Sequence, residues 1–439
     1  MTDAQTSLDM SPQLRRVAER AKWEPAARFN SLAHLIDEEL LTKAFRRLRR
    51  DAAVGVDGIT KEQYGQELES NLKDLHERLR TKRYRHQPIR RVQIPKEQGR
   101  KTRPIGISTI EDKMVQNALR EVLEAVYEQD FLGCSHGFRP GRNAHGAVRA
   151  LTRAVNWRKA NWILEFDIQS FFDSVDRTQL MKMLQKRVAD GSILRLIGKC
   201  LHVGVLEGEE LSEPSEGTVQ GSTLSPLLGN VYLHHVLDLW FAEEVMPRLH
   251  GRAMFVRYAD DGVFGFEYEE DARRVMAVLG KRLERFGLTL HPEKTRLLDF
   301  RRPSEERKEG RSPATFDFLG FTWYWQRIEG GRWSVRCKTR RARLARAIRA
   351  VHVWCKEHRH MSVKEQHAAL KRRVQGHINY FGVNGNMRSL RMFIHQVRRK
   401  WFRWLCRRSQ RTRLTWEKFA DLEKVYPLPK LRIVVSIWQ

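Results

Sequence analysis

Cysteine is scarce: five in 439 residues (Cys134, Cys200, Cys337, Cys355, Cys406), odd in number and never in a Cys-x-x-Cys pair. That excludes a disulfide framework and reads as reduced thiols in a cytoplasmic protein. Long apolar runs are missing as well. The longest uncharged stretch, Gly217–Leu237, contains Gln220, Pro226, Asn230, three glycines and two histidines, a poor composition for a bilayer span. The first residues, MTDAQTSLDMSP, have neither the basic start nor the apolar core of a secretory signal. No fixed-period repeat or low-complexity tract occurs. Acidic residues are outnumbered, 53 against 81 basic ones, for a net charge of +28. An excess of that size calls for a polyanionic partner, and with a membrane disfavoured this is nucleic acid. At 41% hydrophobic residues, with 20 Phe and 12 Trp, the charge sits on a folded body and not on a disordered polycation.

The positive charge is concentrated towards the C-terminus. Residues 326–439 hold 29 Lys and Arg against 6 Asp and Glu, whereas the first 325 hold 52 against 47. Eight of the twelve tryptophans lie from Trp323 onward. A nearly neutral body joined to a basic, aromatic-rich region is the layout of a catalytic core with a nucleic-acid-binding module. Patterning predicts amphipathic helices over Ser31–Arg50 and Lys61–Arg80, a hairpin over Arg90–Ile107 and a helix over Glu111–Tyr127. Trp162–Ile168 reads as a strand, Met254–Phe266 as two strands joined at Tyr258–Gly262, Asp271–Phe286 as a helix, and Leu288–Leu290 as the start of a further strand. Arg301–Pro313 is polar and rich in breakers, a surface loop within the core. Beyond Lys338 the pattern is helical over 338–359, 362–380, 386–406 and 415–425. The fold class is α+β followed by a basic helical bundle.

Alternation along Trp162–Ile168 puts Trp162, Leu164, Phe166 and Ile168 on one face and Ile163, Glu165 and Asp167 on the other. About ninety residues later, Asp260 and Asp261 occupy the tip of an otherwise apolar hairpin, FVRYADDGVF. Two adjacent aspartates at a turn and a third at a strand end can converge on two Mg²⁺ ions, which take hard carboxylate oxygens and leave positions open for phosphate. Asp-Asp-Gly is also good turn chemistry on its own.

These residues resemble the reverse transcriptases encoded by bacterial group II introns, the intron maturases, in the family's order over roughly residues 30 to 432. Gly55–Thr60 (GVDGIT) looks like the family's N-terminal extension block, and Ile94–Lys96 with Thr102–Ile107 like its first polymerase block. Gly137–His145 (GFRPGRNAH), Asp167–Asp176 (DIQSFFDSVD) and Gly217–Leu228 (GTVQGSTLSPLL) are similar to the next three. Tyr258–Asp261, Leu288–Thr295 (LTLHPEKT) and Phe316–Trp323 (FDFLGFTW) complete the series. The fourth polymerase block departs from the usual Pro-Gln-Gly-Gly: here Val219 and Ser222 flank Gln220 and Gly221, which implies altered loop rigidity.

The resemblance implies a right-hand polymerase: an N-terminal extension (1–80), fingers and palm with an antiparallel sheet (81–325), an all-α basic thumb or maturase domain (326–410) and a short tail (411–439). It implies that Asp167, Asp260 and Asp261, with the Ile168 carbonyl as a further ligand, hold two Mg²⁺ ions, Mn²⁺ being a substitute. Lys96 and Arg103 would hold the incoming triphosphate, Phe172 would discriminate against a 2′-OH, and Gln220 would contact the template–nascent pair. Lys294 would stand near the leaving pyrophosphate as proton donor. Plainer readings stay open for Phe172, as a core ring, and for Lys294, as a solvated lysine.

In the basic region Arg340, Arg343, Arg346 and Arg349 fall on one helix face, a stripe suited to a phosphate backbone. Arg398 and Arg399 open a second cluster, in which Tyr380, Phe381, Trp401 and Trp404 stand among cations; such surfaces suit irregular RNA, although Phe381, Phe402 and Trp404 read better as bundle core. The spacing of Cys355, His358 and His360 fits no common zinc ligand set. The paired cysteines of the endonuclease segment found in many relatives do not occur, so the expectation is a chain that does not cut its own target strand. The expected activity is RNA-templated DNA synthesis from dNTPs and a primer or target DNA, coupled to binding of a cognate group II intron RNA in a bacterial cytoplasm. A host-adopted polymerase for phage defence or DNA repair, and a non-catalytic RNA-binding splicing factor, are the rivals.

Overall fold

A computed structural model describes residues 10–95, 102–157, 160–207, 210–212, 221–303, 314–409 and 414–437. Helix α1 (Pro12–Trp23) begins where the Ser11 hydroxyl accepts the Leu14 N–H and proline occupies the first turn. The helix expected over residues 31–50 is split. Asp190, far along the chain, accepts the N–H groups of Leu32 and Ala33 at 2.7 and 2.8 Å, so Ala33–Leu35 makes one 3₁₀ turn. Asp37 then caps a separate helix, α2 (Glu38–Arg47). Likewise 61–80 forms α3 (Lys61–Gln66), opened by a Thr60–Gln63 capping box, and α4 (Leu68–Arg80), with Glu67 outside helical geometry between them.

The expected hairpin forms from β1 (Ile89–Pro95) and β2 (Thr102–Ile107), antiparallel, with Ile94 opposite Arg103. Helix α5 (Ile110–Tyr127) is buried around most of its circumference and runs through the larger core. Helix α6 (Ala144–Trp157) leads to β3 (Trp162–Phe166). Next come α7 (Arg177–Gln185), α8 (Gly191–Leu201) and the short strands β4 (Val205–Glu207) and β5 (Glu210–Ser212), which extend the first sheet in the order β2-β1-β4-β5. Helix α9 (Ser225–Leu233) widens into π-helical turns at His234–Asp238 and Trp240–Val245, a form met mostly at functional sites.

The sheet that positions the site has the order β6-β7-β3-β8, built from β6 (Ala253–Tyr258), β7 (Asp261–Phe266), β3 and, after α10 (Glu269–Glu284), β8 (Arg296–Asp299). Residues 288–290 contribute only an isolated bridge between Leu290 and Ile168, because the strand pairing β3 on that side begins at Arg296. Strand β3 is buried on both faces: Leu164 and Phe166 enter the larger core, Ile163 a second one.

That second core is closed by a three-stranded sheet, β9 (Phe316–Phe318), β10 (Phe321–Arg327) and β11 (Trp333–Thr339), in the order β11-β10-β9. The domain boundary expected between residues 325 and 326 therefore falls inside β10, and the helical region starts only at α11 (Arg341–Glu357). WSVRCKT folds back onto FTWYWQR as an antiparallel hairpin, with Arg327 opposite Trp333. Helices α12 (Val363–Phe381), α13 (Met387–Leu405) and α14 (Trp416–Val425) complete the bundle. Trp401 is fully buried and Trp404 and Phe381 nearly so; Phe381 and Trp404 pack inward, as the core reading expected, and Trp401 joins them. The Cys355 thiol is also buried, in the bundle core. Among the described residues no helix is long and apolar enough to cross a membrane.

Candidate active site

Tyr258 pairs with Asp261 across the β6–β7 hairpin, so Ala259 and Asp260 form its two-residue tip. Ala259 has φ = 56°, a left-handed backbone that costs a side-chain-bearing residue about 1 kcal/mol or more. Strand β3 runs antiparallel beside β7 with Phe166 opposite Gly262, which brings Asp167 to the same end of the sheet as Asp261. Gly262 is required by this neighbour and not by the turn: a Cβ there would lie 2.4 Å from the Phe166 ring. Asp167 and Asp261 line one cleft of about 280 Å³ together with Glu165, Glu293, Lys294, Arg296, Asp317 and Arg340.

The carboxylates crowd one another. The surrounding protein first, then Asp260 and Asp167, push Asp261 up to about 6 although its surface faces water. Asp260 is raised above the ordinary carboxylate range mainly by burial, with Asp167 adding to the effect and Arg257 and Lys294 opposing it. The Lys294 ammonium donates to Asp167 Oδ2 at 2.6 Å. Among the described residues no three His, Cys, Asp or Glu side chains are already close enough to hold a metal ion. The donor set nevertheless suits a hard divalent cation: oxygen donors only, in mutual repulsion, at the rim of a cleft.

The turn rests on a buried guanidinium to which the sequence reading gave no role. Arg257 is wholly inaccessible to solvent. Its Nε and Nη2 bind the two oxygens of Asp238 at 2.8 and 2.6 Å, and Nη2 also donates to the Ser135 hydroxyl. Nη1 donates to Asn230 Oδ1 and, at 2.8 Å, to the carbonyl of Ala259 in the turn itself. Asn230 in turn donates to the Gly137 carbonyl, and a Cβ on Gly137 would come within 2.3 Å of the Ala259 nitrogen. The GFRPGR segment is thus pressed against the Asp-Asp turn, with the Phe138 ring exposed beside Tyr258. The signal was a charged residue immediately before Tyr258 in an apolar strand, which must find partners if buried.

With this geometry the comparisons with known proteins can be placed. The family model described as "Reverse transcriptase (RNA-dependent DNA polymerase)" matches residues 94–323, just over half of the chain, from within β1 to within β10, and spans all three aspartates. The chain belongs to this family. Relatives of this chain include the group II intron-encoded protein LtrA of Lactococcus lactis subsp. cremoris, 35% identical over 203 residues (46% of this chain, 34% of LtrA). Protein YkfC of Escherichia coli (strain K12) is 32% identical over 286 residues, covering 58% of this chain and 75% of YkfC. A nuclear intron maturase 1 of Arabidopsis thaliana is 37% identical over 91 residues, 21% of this chain and 12% of the maturase. The chain spans about a third of the length of LtrA.

The remaining sequence-predicted residues fall into three groups. Near the acids, Ile168 has its side chain buried; both hydrogen bonds of its bridge to Leu290 use neighbours (Asp167 C=O, Gln169 N–H), so its own carbonyl stays out of that ladder. Phe172 is partly buried, edge-on to Phe171 at 5.1 Å, and both rings abut Gly229. Along the basic helix, Arg340, Arg343 and Arg346 line a groove of about 630 Å³ that begins at Asp261 and is closed by Phe318, Tyr380 and Phe381; Arg349, exposed, does not line it. Arg398 is committed to Glu423 through two hydrogen bonds of 2.6 and 2.5 Å, while Arg399 is exposed. Arg103 lies on β2, opposite β1. Lys96 and Gln220 lie outside the described residues.

Proposed function

We propose that the chain is an RNA-directed DNA polymerase that extends a primer 3′-OH with dNTPs on an RNA template, and that its basic helical region binds a group II intron RNA as a maturase. The observation that carries this reading is the cleft itself. Asp167 and the Asp260–Asp261 turn stand at the same end of one sheet, and from Asp261 the arginine-lined groove leads away along α11. Membership of the reverse transcriptase family and the printed names of LtrA and the Arabidopsis maturase point the same way. In this reading residues 81 to about 339 are fingers and palm, and the helices from α11 onward are the thumb.

Asp167, Asp260, Asp261 and the Ile168 carbonyl would hold two Mg²⁺ ions, or Mn²⁺ in their place, whose charge stabilises the attacking and leaving oxygens when bound. The chain's own groups do the rest. Lys96 and Arg103 hold the triphosphate with fixed positive donors. Phe172 sets its ring under the sugar and excludes a 2′-OH, and Gln220 contacts the template–nascent pair. Lys294 keeps a proton on Nζ beside the acids and passes it to the departing pyrophosphate. Arg343 and Arg346 follow the duplex backbone. The deciding experiment is dNTP incorporation on a primed RNA template by Asp260→Ala. Synthesis is expected to vanish while RNA affinity persists; near-normal extension would end the assignment.

A further inference from the structure

Two residues before Asp167, and on the same side of β3, Glu165 is 7% exposed. It has no chemical task in the function proposed above, yet both carboxylate oxygens are engaged. Oε1 accepts the backbone N–H of Asp317 at 2.7 Å; Oε2 accepts Arg296, from Nε at 2.9 Å and from Nη2. Asp317 then accepts the Thr322 hydroxyl on Oδ1 and pairs through Oδ2 with Nε of Arg340 at 3.0 Å. Arg340 caps the N-terminus of α11, and its own N–H donates to the Gly320 carbonyl at 2.9 Å. Hydrogen bonds and one ion pair therefore join the strand that leads into Asp167 to the head of the helix whose Arg343 and Arg346 wall the groove.

Apolar packing alone would hold this sheet to that strand, and it is present in quantity: Phe316, Phe318, Phe321 and Trp323 are all buried. Apolar contact is non-directional. A carboxylate taking one backbone N–H and one guanidinium fixes angle and reach, at a desolvation cost that packing would avoid. The same four charged side chains, Glu165, Arg296, Asp317 and Arg340, line the cleft that holds Asp167 and Asp261. What they control is the distance between groove and acids.

We infer that Glu165 and Asp317 are positioning residues that hold the groove wall of α11 in register with the Asp167 carboxylate, so that a primer gripped along the groove ends at the acids. The inference rests on the polymerase reading for its consequence, not for its geometry. It reassigns Arg340, placed by the sequence pattern on the RNA-binding stripe, to the link itself.

The test uses the full chain with Glu165→Ala, Asp317→Ala, the double variant and the conservative Glu165→Gln. On a primed RNA template, each alanine variant should lose about tenfold or more in kcat, the scale expected of misplaced reacting groups. The primer–template Kd should stay within about twofold, because Arg343 and Arg346 are untouched, and Glu165→Gln, which keeps an acceptor for the Asp317 N–H, should recover most of the rate. In the protein without nucleic acid, amides at 340, 344 and 345 should exchange about tenfold faster in each alanine variant, and that at 317 in Glu165→Ala, while the double variant should add little more. Should Glu165→Ala fail to fold, Asp317→Ala carries the loss of rate and of protection, with Asp317→Asn as its isosteric partner and Glu165→Gln as the near-wild-type control. Unchanged exchange at the head of α11, or a Kd that rises in step with the fall in kcat, overturns the proposal. A wild-type chain that incorporates no dNTP would sink the polymerase reading, and the exchange measurement would still decide whether the link exists.

Discussion

Lys294 Nζ lies 2.6 Å from Asp167 Oδ2, a contact between residues 127 positions apart. It assigns the lysine two separable jobs, neutralising the carboxylate and supplying a proton. Arginine can do the first and not the second, because its guanidinium does not give up a proton in the working range. Lys294→Met and Lys294→Arg are both expected to lower kcat by about a hundredfold, the usual worth of a positioned general acid. Single-turnover incorporation measures this directly. A wild-type rate in Lys294→Arg would leave only the neutralising role.

Arg257 makes a stability prediction with a functional sequel. Replacing it by Met strands Asp238, which is 1% exposed, with no countercharge. Breaking a buried pair in this way costs about 3–5 kcal/mol, readable as a lowered urea midpoint. Adding Asp238→Leu removes the orphaned charge and should restore most of the stability. Incorporation should remain low in that double variant, because the Ala259 carbonyl has lost its tether. Recovery of both together would show that the guanidinium serves the fold alone.

Much of this site could be read from the chain before any coordinates. The β1–β2 hairpin, the helix over 110–127 and the Asp-Asp hairpin carried strong local periodicity, and each formed nearly where expected. Where the pattern misled, the causes differ: Asp190, a distant partner, broke the 31–50 helix, whereas β11 folded back on its neighbour β10 in a stretch whose basic composition resembled the helices after it. Alternation placed Glu165 and Asp167 together on one face of β3, but it could not show that this face is also covered. The Arg257–Asp238 pair and the Glu165–Asp317 contact join residues 19 and 152 positions apart, a scale on which single-sequence pattern is silent.

Phe172 supplies a specificity prediction. Its ring abuts Gly229, where an added Cβ would come 3.3 Å from Phe172 and 3.0 Å from Phe171. Phe172→Val should open the space beneath the sugar and raise ribonucleotide over deoxynucleotide incorporation by about 10- to 100-fold, the range that one steric contact can command. Gly229→Ala should shift the same ratio by moving the ring without removing it. Competing rNTP and dNTP mixtures, resolved on a sequencing gel, give the ratio, and an unchanged ratio in Phe172→Val would return the ring to a packing role.

Glu124 sets a pH dependence of stability. Burial pushes its carboxyl up to about 7 from 4.5, with Arg120 at 3.4 Å opposing and Glu128 and Glu121 reinforcing. A pKa raised on folding means that the native state holds a proton the unfolded chain has released. Its stability contribution is therefore complete below about pH 4.5 and is lost as pH rises through about 7. The buried histidines His136, His234 and His377, each lowered to about 4 chiefly by burial, act in the opposite sense below 6.5, so the informative quantity is a difference. Urea unfolding of wild type and Glu124→Gln should diverge steadily in favour of the variant from about pH 5 to pH 8. Parallel curves would place Glu124 in water.

The two arginine clusters of the basic region should behave unlike each other. Arg343 and Arg346 line the groove that starts at Asp261, whereas Arg398 is held by Glu423 across α13 and α14. A cation that meets a phosphate releases a counterion, so Arg343→Ala and Arg346→Ala should each weaken binding of a primed template and lower the slope of log K against log salt by about one unit. Arg398→Ala should leave that slope alone. Its effect belongs to the bundle, and since the pair is partly exposed the loss in stability should stay within about 1 kcal/mol. Filter binding between 50 and 400 mM KCl separates the cases. A slope that drops equally in all three would mean that Arg398 leaves Glu423 for the nucleic acid, and that the bundle surface, not the groove alone, carries the template.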